Sequence, residues 1–494
     1  MTQRGEDLLN SRRAKLLALR TLGIDPYPSK SSRRHTCSEA AQIFIKHEDE
    51  AKPRSTSVAG RILRLRNMGK ASFIDIEDHT GRLQLFIRAN ESRKSFGLVD
   101  NLDLGDFVSA SGNLMRTRLG EISVQVKKLS LLTKAMRPPP DAYYGLNDKE
   151  TRYRQRYLDL IANKSVEQVM RTRSKIISSI RNFMDKSGFV EVETPVLVNV
   201  PAGAMANPFI TEHRALNRRL FLRIATELYL KRLIVGGMDK VYEIGRVFRN
   251  EGIDHDHNPE FTLLESYEAY SDYLKVMGMV EKLVPAIAKS ALGATTIEFQ
   301  GSKINLLGPW PRIKLKDAIK QYSGVNIDDA PDAASMTEIL KNLGIAATYA
   351  ESRGRLIDKL LSTYVEPNLI QPTFLIDYPL EMSPLAKAKT TDPQYTERFE
   401  AYAGGMEIAN AFSELNDPEA QRSRLDEQEQ LRKQYQGEEL DRIDEDFIIA
   451  LEHGMPPTGG LGIGIDRLVM LLTSQESIRD VLLFPQVRSL GNES

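Results

Sequence analysis

Residues 242–267 read YEIGRVFRNEGIDHDHNPEFTLLESY, and the fold of this chain is recognised most easily from them. We interpret the stretch as two short strands joined by a polar connection that contains histidines and acidic residues. Arg249 follows the first strand, and its planar guanidinium is suited to bind a carboxylate or a phosphate. The stretch is therefore a candidate anion-binding site.

A second informative stretch, GGLGIGIDRLVMLL at residues 459–472, has glycine at alternate positions. Successive residues of a strand face opposite sides, so Gly460, Gly462 and Gly464 would leave one face bare for a flat ring. Arg467, at the start of the next helix, would meet that ring. The spacing is not the dinucleotide pattern, and no G-x-x-x-x-G-K-[ST] motif argues for a P-loop. From these residues alone, tight packing between strand and helix is the alternative.

Composition indicates an ordinary globular protein, with 41% hydrophobic and 27% charged residues over 494 positions. The length suggests about two to four domains. No apolar run is long enough to span a membrane, and the N-terminus does not resemble a signal peptide. Cys37 is the only cysteine, which excludes an internal disulfide and favours a cytoplasmic location.

The net charge of zero hides an asymmetry between the two parts of the chain. Residues 1–137 hold 25 Lys and Arg against 15 Asp and Glu, and the remainder holds 42 against 52. A basic module followed by an acidic one suggests that the first part binds a polyanion, although an uneven solvated surface would look the same.

Residues 56–133 are rich in short strands separated by turn signals, which predicts an all-β barrel of the oligonucleotide-binding (OB) type. Arginine, aromatic and amide side chains interleave on these strands, a mixture suited to single-stranded RNA. These residues are Arg64, Arg66, Phe73, Arg82, Gln84 and Phe86.

After the barrel the pattern changes to alternating helices and strands, which predicts an α+β domain. The stretch RPPPDAYYG at residues 137–145 marks the boundary, because consecutive prolines interrupt regular structure. We expect a helical extension at 1–55, the barrel at 56–136, a linker at 137–164 and a catalytic domain at 165–494. A helix should begin near Ser165 and end near Lys186, and a helical insertion should occupy about 301–370.

Three segments in this order resemble the three motifs of class II aminoacyl-tRNA synthetases. They are the long helix followed by GFVEVETPVL, the stretch quoted first, and GLGIGIDR. The resemblance implies the antiparallel-sheet catalytic domain of that class, and the N-terminal barrel matches the lysine, aspartate and asparagine subgroup. Several further segments resemble the lysyl-tRNA synthetases, namely RYRQRYLDL, LRIATELYLKRL, SPLAK, FSELNDP and GMPPTGGLGIGIDR.

The resemblance implies ATP-dependent ligation of L-lysine to its tRNA through a lysyl-adenylate. Arg249 and Arg467 would be the catalytic residues. The ATP-binding residues would be Arg249, Glu251, His257, Asn258, Phe261, Glu400 and Arg467. Magnesium would be held by Glu400 and Glu407, although from the residues alone two solvent-exposed acids are the simpler interpretation.

The same resemblance assigns the amino-acid pocket and the RNA contacts. Lysine would be bound by Gly203, Glu227, Arg249, Glu265, Tyr267, Asn410 and Glu414. Ornithine is the nearest competitor, because one methylene changes binding by only about 1–3 kcal/mol. Arg66, Phe73 and Gln84 would read the anticodon. The expected partners are lysine tRNA and a second copy of the chain in a homodimer, with no membrane and no DNA.

Four positions depart from the family pattern, namely Ala202, Met205, Asn207 and Thr226, where glycine, a small residue, a basic residue and proline are usual. They flank Gly203 and Glu227, so we expect them to alter the contact with the α-amino group. Two alternative functions are a relative that attaches a lysine-type amino acid to a protein, and an inactive paralogue. The first would lack the barrel, and the second would have lost the motif arginines or acidic residues.

Overall fold

The computed structural model describes residues 3–50, 52–140, 146–204, 206–436 and 443–488. Met205 and residues 141–145 of the expected linker lie outside these described residues. The chain divides into two compact units, Met1–Asn163 and Lys164–Ser494.

The first unit contains a closed five-stranded barrel with strand order β1-β2-β3-β5-β4, which confirms the predicted OB-type fold. The strands are β1 Ser55–Asn67, β2 Ala71–Asp78, β3 Gly81–Arg88, β4 Phe107–Arg116 and β5 Ile122–Thr133. Its helices are α1 Gln3–Thr21, α2 Cys37–Lys46, α3 Arg93–Val99, α4 Lys149–Arg154 and α5 Arg156–Ala162. Inward-facing aliphatic residues of all five strands fill the barrel.

An eight-stranded sheet organises the second unit, with strand order β14-β15-β16-β17-β18-β11-β10-β6. The six strands from β15 to β10 are antiparallel, as predicted, and the strands at both edges pair in parallel. The strands are β6 Val190–Glu191, β10 Lys240–Phe248, β11 Glu260–Ala269, β14 Arg312–Lys314, β15 Thr373–Ile376, β16 Arg398–Ala403, β17 Met406–Ser413 and β18 Thr458–Gly464.

Two small sheets and nine helices complete the described part of this unit. The small sheets contain β7 Leu197–Val198, β8 Ile210–His213, β9 Arg218–Leu222, β12 Thr296–Phe299 and β13 Ser302–Asn305. The helices are α6 Lys164–Lys186, α7 Glu227–Val235, α8 Tyr273–Leu292, α9 Leu315–Ser323, α10 Ala333–Asn342, α11 Arg353–Leu360, α12 Pro418–Gln436, α13 Glu445–Glu452 and α14 Ile465–Thr473.

One face of the large sheet is covered by α6, α8 and α14 and forms the main core. The helical period predicted for α6 is confirmed, because Ile176, Ile180 and Met184 are completely buried there. Each such side chain contributes roughly 1.5–3 kcal/mol through burial. Leu461 and Ile463 of β18 point into the same core, so the glycines between them face the opposite side.

The segment predicted as a helical insertion contains α9, α10 and α11, and these helices form a hydrophobic core of their own. The segment also contains β13 and β14, and β14 extends the large sheet by pairing with β15. The insertion is therefore joined to the sheet through one short parallel strand.

Candidate active site

The open face of the large sheet gathers the residues predicted for the site. Glu265 of β11 lies opposite Gly462 of β18, Gly462 lies opposite Asn410 of β17, and Asn410 lies opposite Glu400 of β16. Paired residues of antiparallel strands project from the same side. Four residues separated by up to about 200 positions in the sequence therefore form one row.

The next row shows why β18 needs glycine. Tyr267 and Phe412 lie opposite Gly460 on either side. A Cβ atom at Gly460 would stand 1.8 Å from Glu414 Oε1 and 2.7 Å from Tyr267 Cε1. The missing side chain therefore lets the Glu414 carboxylate and the Tyr267 ring lie directly against the strand.

Glu414 is the most confined acid of the site, with 1% of its surface exposed. Its Oε2 atom forms an ion pair with Lys231, whereas Oε1 has no hydrogen-bond partner in the described residues. Burial raises the pKa of Glu414 well above its ordinary value, and Lys231 opposes that shift. A buried carboxylate oxygen without a donor indicates that a cationic ligand completes the site.

Lys231 was not predicted from the sequence, although it belongs to the quoted LYLKRL stretch. It lies one helical turn after Glu227 on α7, and its ammonium is 2.5 Å from Glu227 Oε1. The side chain is completely buried, and the rings of Tyr267, Phe412 and Phe447 surround the ammonium at 5.6–6.0 Å. The i, i+4 spacing from Glu227 is the signal that would have identified it.

The Gly203 segment lies beside the start of α7. Gly203 has φ of +94°, and an added Cβ would stand 3.1 Å from Ala225 Cβ and 3.7 Å from Glu227 Cβ. Ala202 packs against the cluster that includes Leu228, and the Asn207 carbonyl accepts a hydrogen bond from the Asn250 backbone. Met205 lies outside the described residues.

Thr226, one of the four departures from the family pattern, contacts Glu265. Its backbone N–H and its hydroxyl both donate to Glu265 Oε2, at 3.2 Å and 2.5 Å. Burial raises the pKa of Glu265 to about 7, Glu227 adds to the increase, and the Thr226 hydroxyl and Arg249 oppose it. The departure from proline at this position therefore supports Glu265 directly, because proline could make neither hydrogen bond.

Arg249 follows β10 at the edge of the same face. Its guanidinium lies 5.1 Å from the centre of the Phe261 ring, and its Nε is buried without a hydrogen-bond partner in the described residues. Burial lowers the pKa of Arg249, while the charges of Glu251, Glu265 and Glu407 act in the opposite direction. A partly buried guanidinium with an enclosed, unpartnered N–H is ready to bind an anion.

Three other residues predicted to bind ATP lie in the connection between β10 and β11, and they differ in solvent exposure. Asn258 is buried, where its amide donates to the Glu260 carbonyl and accepts from the Gln486 backbone. His257 is exposed and lies 2.9 Å from Asp254. Glu251 is also exposed, and its backbone N–H donates to the Arg249 carbonyl. Asn258 therefore shapes the connection, while His257 and Glu251 remain accessible to a ligand.

At the other end of the sheet, Glu400 is buried rather than solvent-exposed. Tyr378 and Tyr402 donate to its Oε2 at 2.7 and 2.6 Å, and Arg398 donates to its Oε1 at 2.6 Å. Arg398 also donates to Asn410 Oδ1 at 3.1 Å. Arg398, which sequence reasoning missed, lies two residues before Glu400 on the same strand face and joins the two predicted residues.

Glu407 and Arg467 form an ion pair of 3.0 Å beside this group. Burial and the nearby Glu400 raise the pKa of Glu407, and Arg467 opposes the increase. Burial and Glu400 also raise the pKa of Glu366 to about 7. Carboxylates crowded in this way would be stabilised by added positive charge.

The described residues do not form a complete metal site by themselves, because no three His, Cys, Asp or Glu side chains are arranged to hold an ion. In the same described ranges, no helix is long and apolar enough to cross a membrane.

In the barrel unit, the predicted RNA-contacting residues share one outer face. Arg66 lies opposite Phe73, and Phe73 lies opposite Phe86. The two rings stack at 4.8 Å with an interplanar angle of 24°, and Arg66 Cζ is 6.0 Å from the Phe73 ring centre. The Arg66 side chain is 53% exposed. This arrangement leaves the partly exposed Phe73 ring with a half-exposed cation beside it, whereas Phe86 is buried.

Gln84 occupies the neighbouring row, but its side chain is already hydrogen-bonded. The amide donates to Asp75 Oδ1 at 3.3 Å and accepts from the Ser123 hydroxyl at 2.9 Å. Only 8% of Gln84 is exposed, so one amide hydrogen at most remains for a ligand.

Comparisons with known proteins agree with both units. Residues 148–488 match the family described as tRNA synthetases class II (D, K and N), and residues 56–132 match the OB-fold nucleic acid binding domain. A lysine–tRNA ligase of Dehalococcoides mccartyi is 51% identical over 487 residues, 98% of each chain. Those of Chloroflexus aurantiacus and Enterococcus faecalis are 50% and 49% identical, and the alignments cover 97–99% of each chain.

Proposed function

Because this chain belongs to the class II tRNA synthetases, we propose that it is a lysine–tRNA ligase that joins L-lysine to tRNA at the expense of ATP. The reaction passes through lysyl-adenylate and releases pyrophosphate and AMP. The single observation that carries the choice of lysine is Glu414, whose buried Oε1 lies against Gly460 without a donor in the described residues.

Charge repulsion is the obstacle to the first step, because the lysine carboxylate must approach the α-phosphorus of ATP. The carboxylate is already a nucleophile, so the enzyme needs to align and neutralise rather than remove a proton. Arg249 has the required properties, since its side chain is partly buried and its enclosed Nε lacks a partner among the described residues. It would hold the carboxylate and the α-phosphate together.

The adenine of ATP would lie on the bare strand beside Phe261, with Arg467 over its other face. Arg467 lies in the first turn of α14 and forms an ion pair with Glu407. Glu251 and His257 are exposed beside this position and would contact the nucleotide. Asn258 would act through the shape of the connection, because its amide is already hydrogen-bonded.

Magnesium is the implied metal, and the side chains present fit it. Glu400 and Glu407 are hard oxygen donors on adjacent strands, and phosphate oxygens would have to complete the coordination, as is usual for magnesium. When bound, the ion neutralises charge on the triphosphate. Titration of ATP–pyrophosphate exchange with magnesium should require more metal in Glu407→Gln than in the unchanged protein. An unchanged requirement would contradict this role.

The amino-acid pocket would use Glu227 and the Gly203 backbone for the α-amino group. Glu265, Glu414 and the Tyr267 hydroxyl would receive the side-chain ammonium, and Asn410 would contact the bound amino acid. A neutral side chain would leave the buried Oε1 of Glu414 without a partner, so it would bind poorly.

In the second step, the terminal ribose hydroxyl of tRNA attacks the adenylate while the barrel holds the anticodon. Phe73 offers a ring for stacking, and Arg66 offers an exposed cation for phosphate. Gln84 would read a base edge with the amide hydrogen left by Asp75 and Ser123.

A homodimer is part of the proposal. Strand β6 is an edge of the large sheet, and the segment around it leaves Val190, Val196 and Leu197 about half exposed. Exposed apolar side chains next to an open sheet edge favour association with another protein surface. Light scattering after size-exclusion chromatography should give twice the chain mass, and a monomer at micromolar concentration would refute the dimer.

The experiment that tests the proposed function is ATP–pyrophosphate exchange with each of the twenty amino acids. Lysine should support the fastest exchange, and ornithine should be a weaker substrate. Faster exchange with any other protein amino acid would overturn the assignment.

A further inference from the structure

Lys231 places a positive charge in the pocket that we propose binds the ammonium group of the lysine substrate. Its ammonium pairs with Glu227 and Glu414, and its side chain is completely buried. Burial of an ammonium is costly, and a buried ion pair is weak evidence for stability, so a structural role alone does not account for this lysine. Lys231 and its two carboxylate partners lie within the proposed substrate pocket, which suggests a role in substrate binding.

The charges that face this pocket have a simple pattern in the described residues. Three carboxylates, those of Glu227, Glu265 and Glu414, face the cations of Lys231 and Arg249. Tyr267 also faces them from β11, and α13 contributes the Phe447 ring. With all groups ionised, the pocket holds one net negative charge, and free lysine carries one net positive charge.

Building on the proposed function, we propose that Lys231 is a specificity-determining positioning residue, which orients Glu414 and favours its charged form so that its free oxygen accepts an ammonium and rejects a neutral side chain. Lys231 occupies Oε2 of Glu414, and Oε1 stays directed at the strand face. Without Lys231, Glu414 would sit among other acids in a buried site and would take up a proton. A protonated carboxyl group can pair with a hydroxyl as well as with an ammonium.

The test measures ATP–pyrophosphate exchange with lysine and with 6-hydroxynorleucine, in which a hydroxyl replaces the ammonium. Lys231→Met should raise KM for lysine and lower the preference for lysine by about 10- to 100-fold, the range for hydrogen bonds to charged groups. In both proteins the KM for lysine should fall as the pH rises. In Lys231→Met this fall should occur at a higher pH than in the unchanged protein, because Glu414 must lose a proton before lysine binds. Lys231→Arg should restore both properties.

Two variants separate this role from a structural one. Lys240→Met removes another paired lysine of the same sheet, and Glu268 keeps its second partner Lys275, so preference and pH profile should not change. In a Glu414→Gln background, Lys231→Met should have no further effect on preference. The double variant has no charge on Glu414 to bury, so it provides the test even if the single variant does not fold.

The outcomes are distinct from those that test the proposed function. Failure of the unchanged protein to prefer lysine would refute the function itself. A protein that prefers lysine, together with a Lys231→Met variant of normal preference and pH profile, would overturn only the role of Lys231. An equal loss of preference in the Glu414→Gln background would also overturn it.

Discussion

The open face of the large sheet and the outer face of the barrel both carry charged and aromatic side chains, but these side chains differ in their exposure to solvent. In the sheet, Glu414 and Lys231 are buried, and the Arg249 Nε is enclosed without a partner in the described residues. In the barrel, Arg66 is half exposed beside the stacked rings of Phe73 and Phe86.

This difference matches the two kinds of ligand. Buried charged groups distinguish a small charged substrate from its competitors, because a ligand that leaves a buried charge without a partner binds with a large free-energy penalty. A long polyanion can use many exposed contacts that are each weak. Substitutions in the sheet should therefore act on amino-acid activation, and those in the barrel should act only on tRNA charging.

The largest expected effect is that of Arg249→Ala, which removes the cation between two anionic reactants. We expect lysine-dependent ATP–pyrophosphate exchange to fall by about 10²- to 10³-fold, as for loss of a major electrostatic contact. Circular dichroism should show a folded protein. Near-normal exchange would contradict the role of Arg249 and would remove the main contrast with the barrel.

Phe73→Ala should affect the other region alone. Loss of one stacking contact costs about 1–3 kcal/mol, so we expect tRNA charging to weaken by roughly 5- to 150-fold. Exchange without tRNA should be unchanged, because the barrel takes no part in that step. Equal loss in both assays would indicate that Phe73 supports the fold instead. Phe107→Ala is a matched control, because that ring lies elsewhere in the barrel beneath Arg61.

A pH dependence should be confined to the sheet. Glu265 has a pKa of about 7, raised by burial, so it is protonated below that value and ionised above it. Lysine needs the ionised form, and its KM should rise by up to about tenfold for each pH unit below the pKa. The barrel surface should show no such dependence when binding of an anticodon stem-loop is measured. A flat KM profile across this range would refute the ionised role of Glu265.

The smallest expected effect is that of changing Thr226, which donates hydrogen bonds to Glu265 and is not proposed to contact the substrate. Thr226→Val removes the hydroxyl donor and Thr226→Pro removes the backbone donor as well, whereas Thr226→Ser retains both. We expect KM for lysine to rise a few-fold in the valine variant and more in the proline variant, at about 1 kcal/mol for each hydrogen bond. An unchanged KM in the proline variant would show that Glu265 needs neither donor.

Much of the architecture could be predicted from the sequence, because it is written in local patterns. The helical period of α6, the glycine alternation of β18 and the strand-rich barrel each follow from spacing within a short window. The resemblance of motifs then placed Glu265, Asn410 and Glu400 in a single site, and the strand register brings them into one row. The burial of Gln84 and the hydrogen bond that Asn258 accepts from the Gln486 backbone were not predicted, since both depend on partners from other segments.

The sequence by itself thus determined the class of fold, the family and the types of residue available for the chemistry. Only the tertiary structure decided which acids meet which cations. Lys231 meets Glu414 across 183 positions, Thr226 donates a hydrogen bond to Glu265, and Arg398 links Glu400 to Asn410. The physical reason is that the charge state of a buried group depends on burial and on neighbours from distant strands, neither of which a local pattern contains.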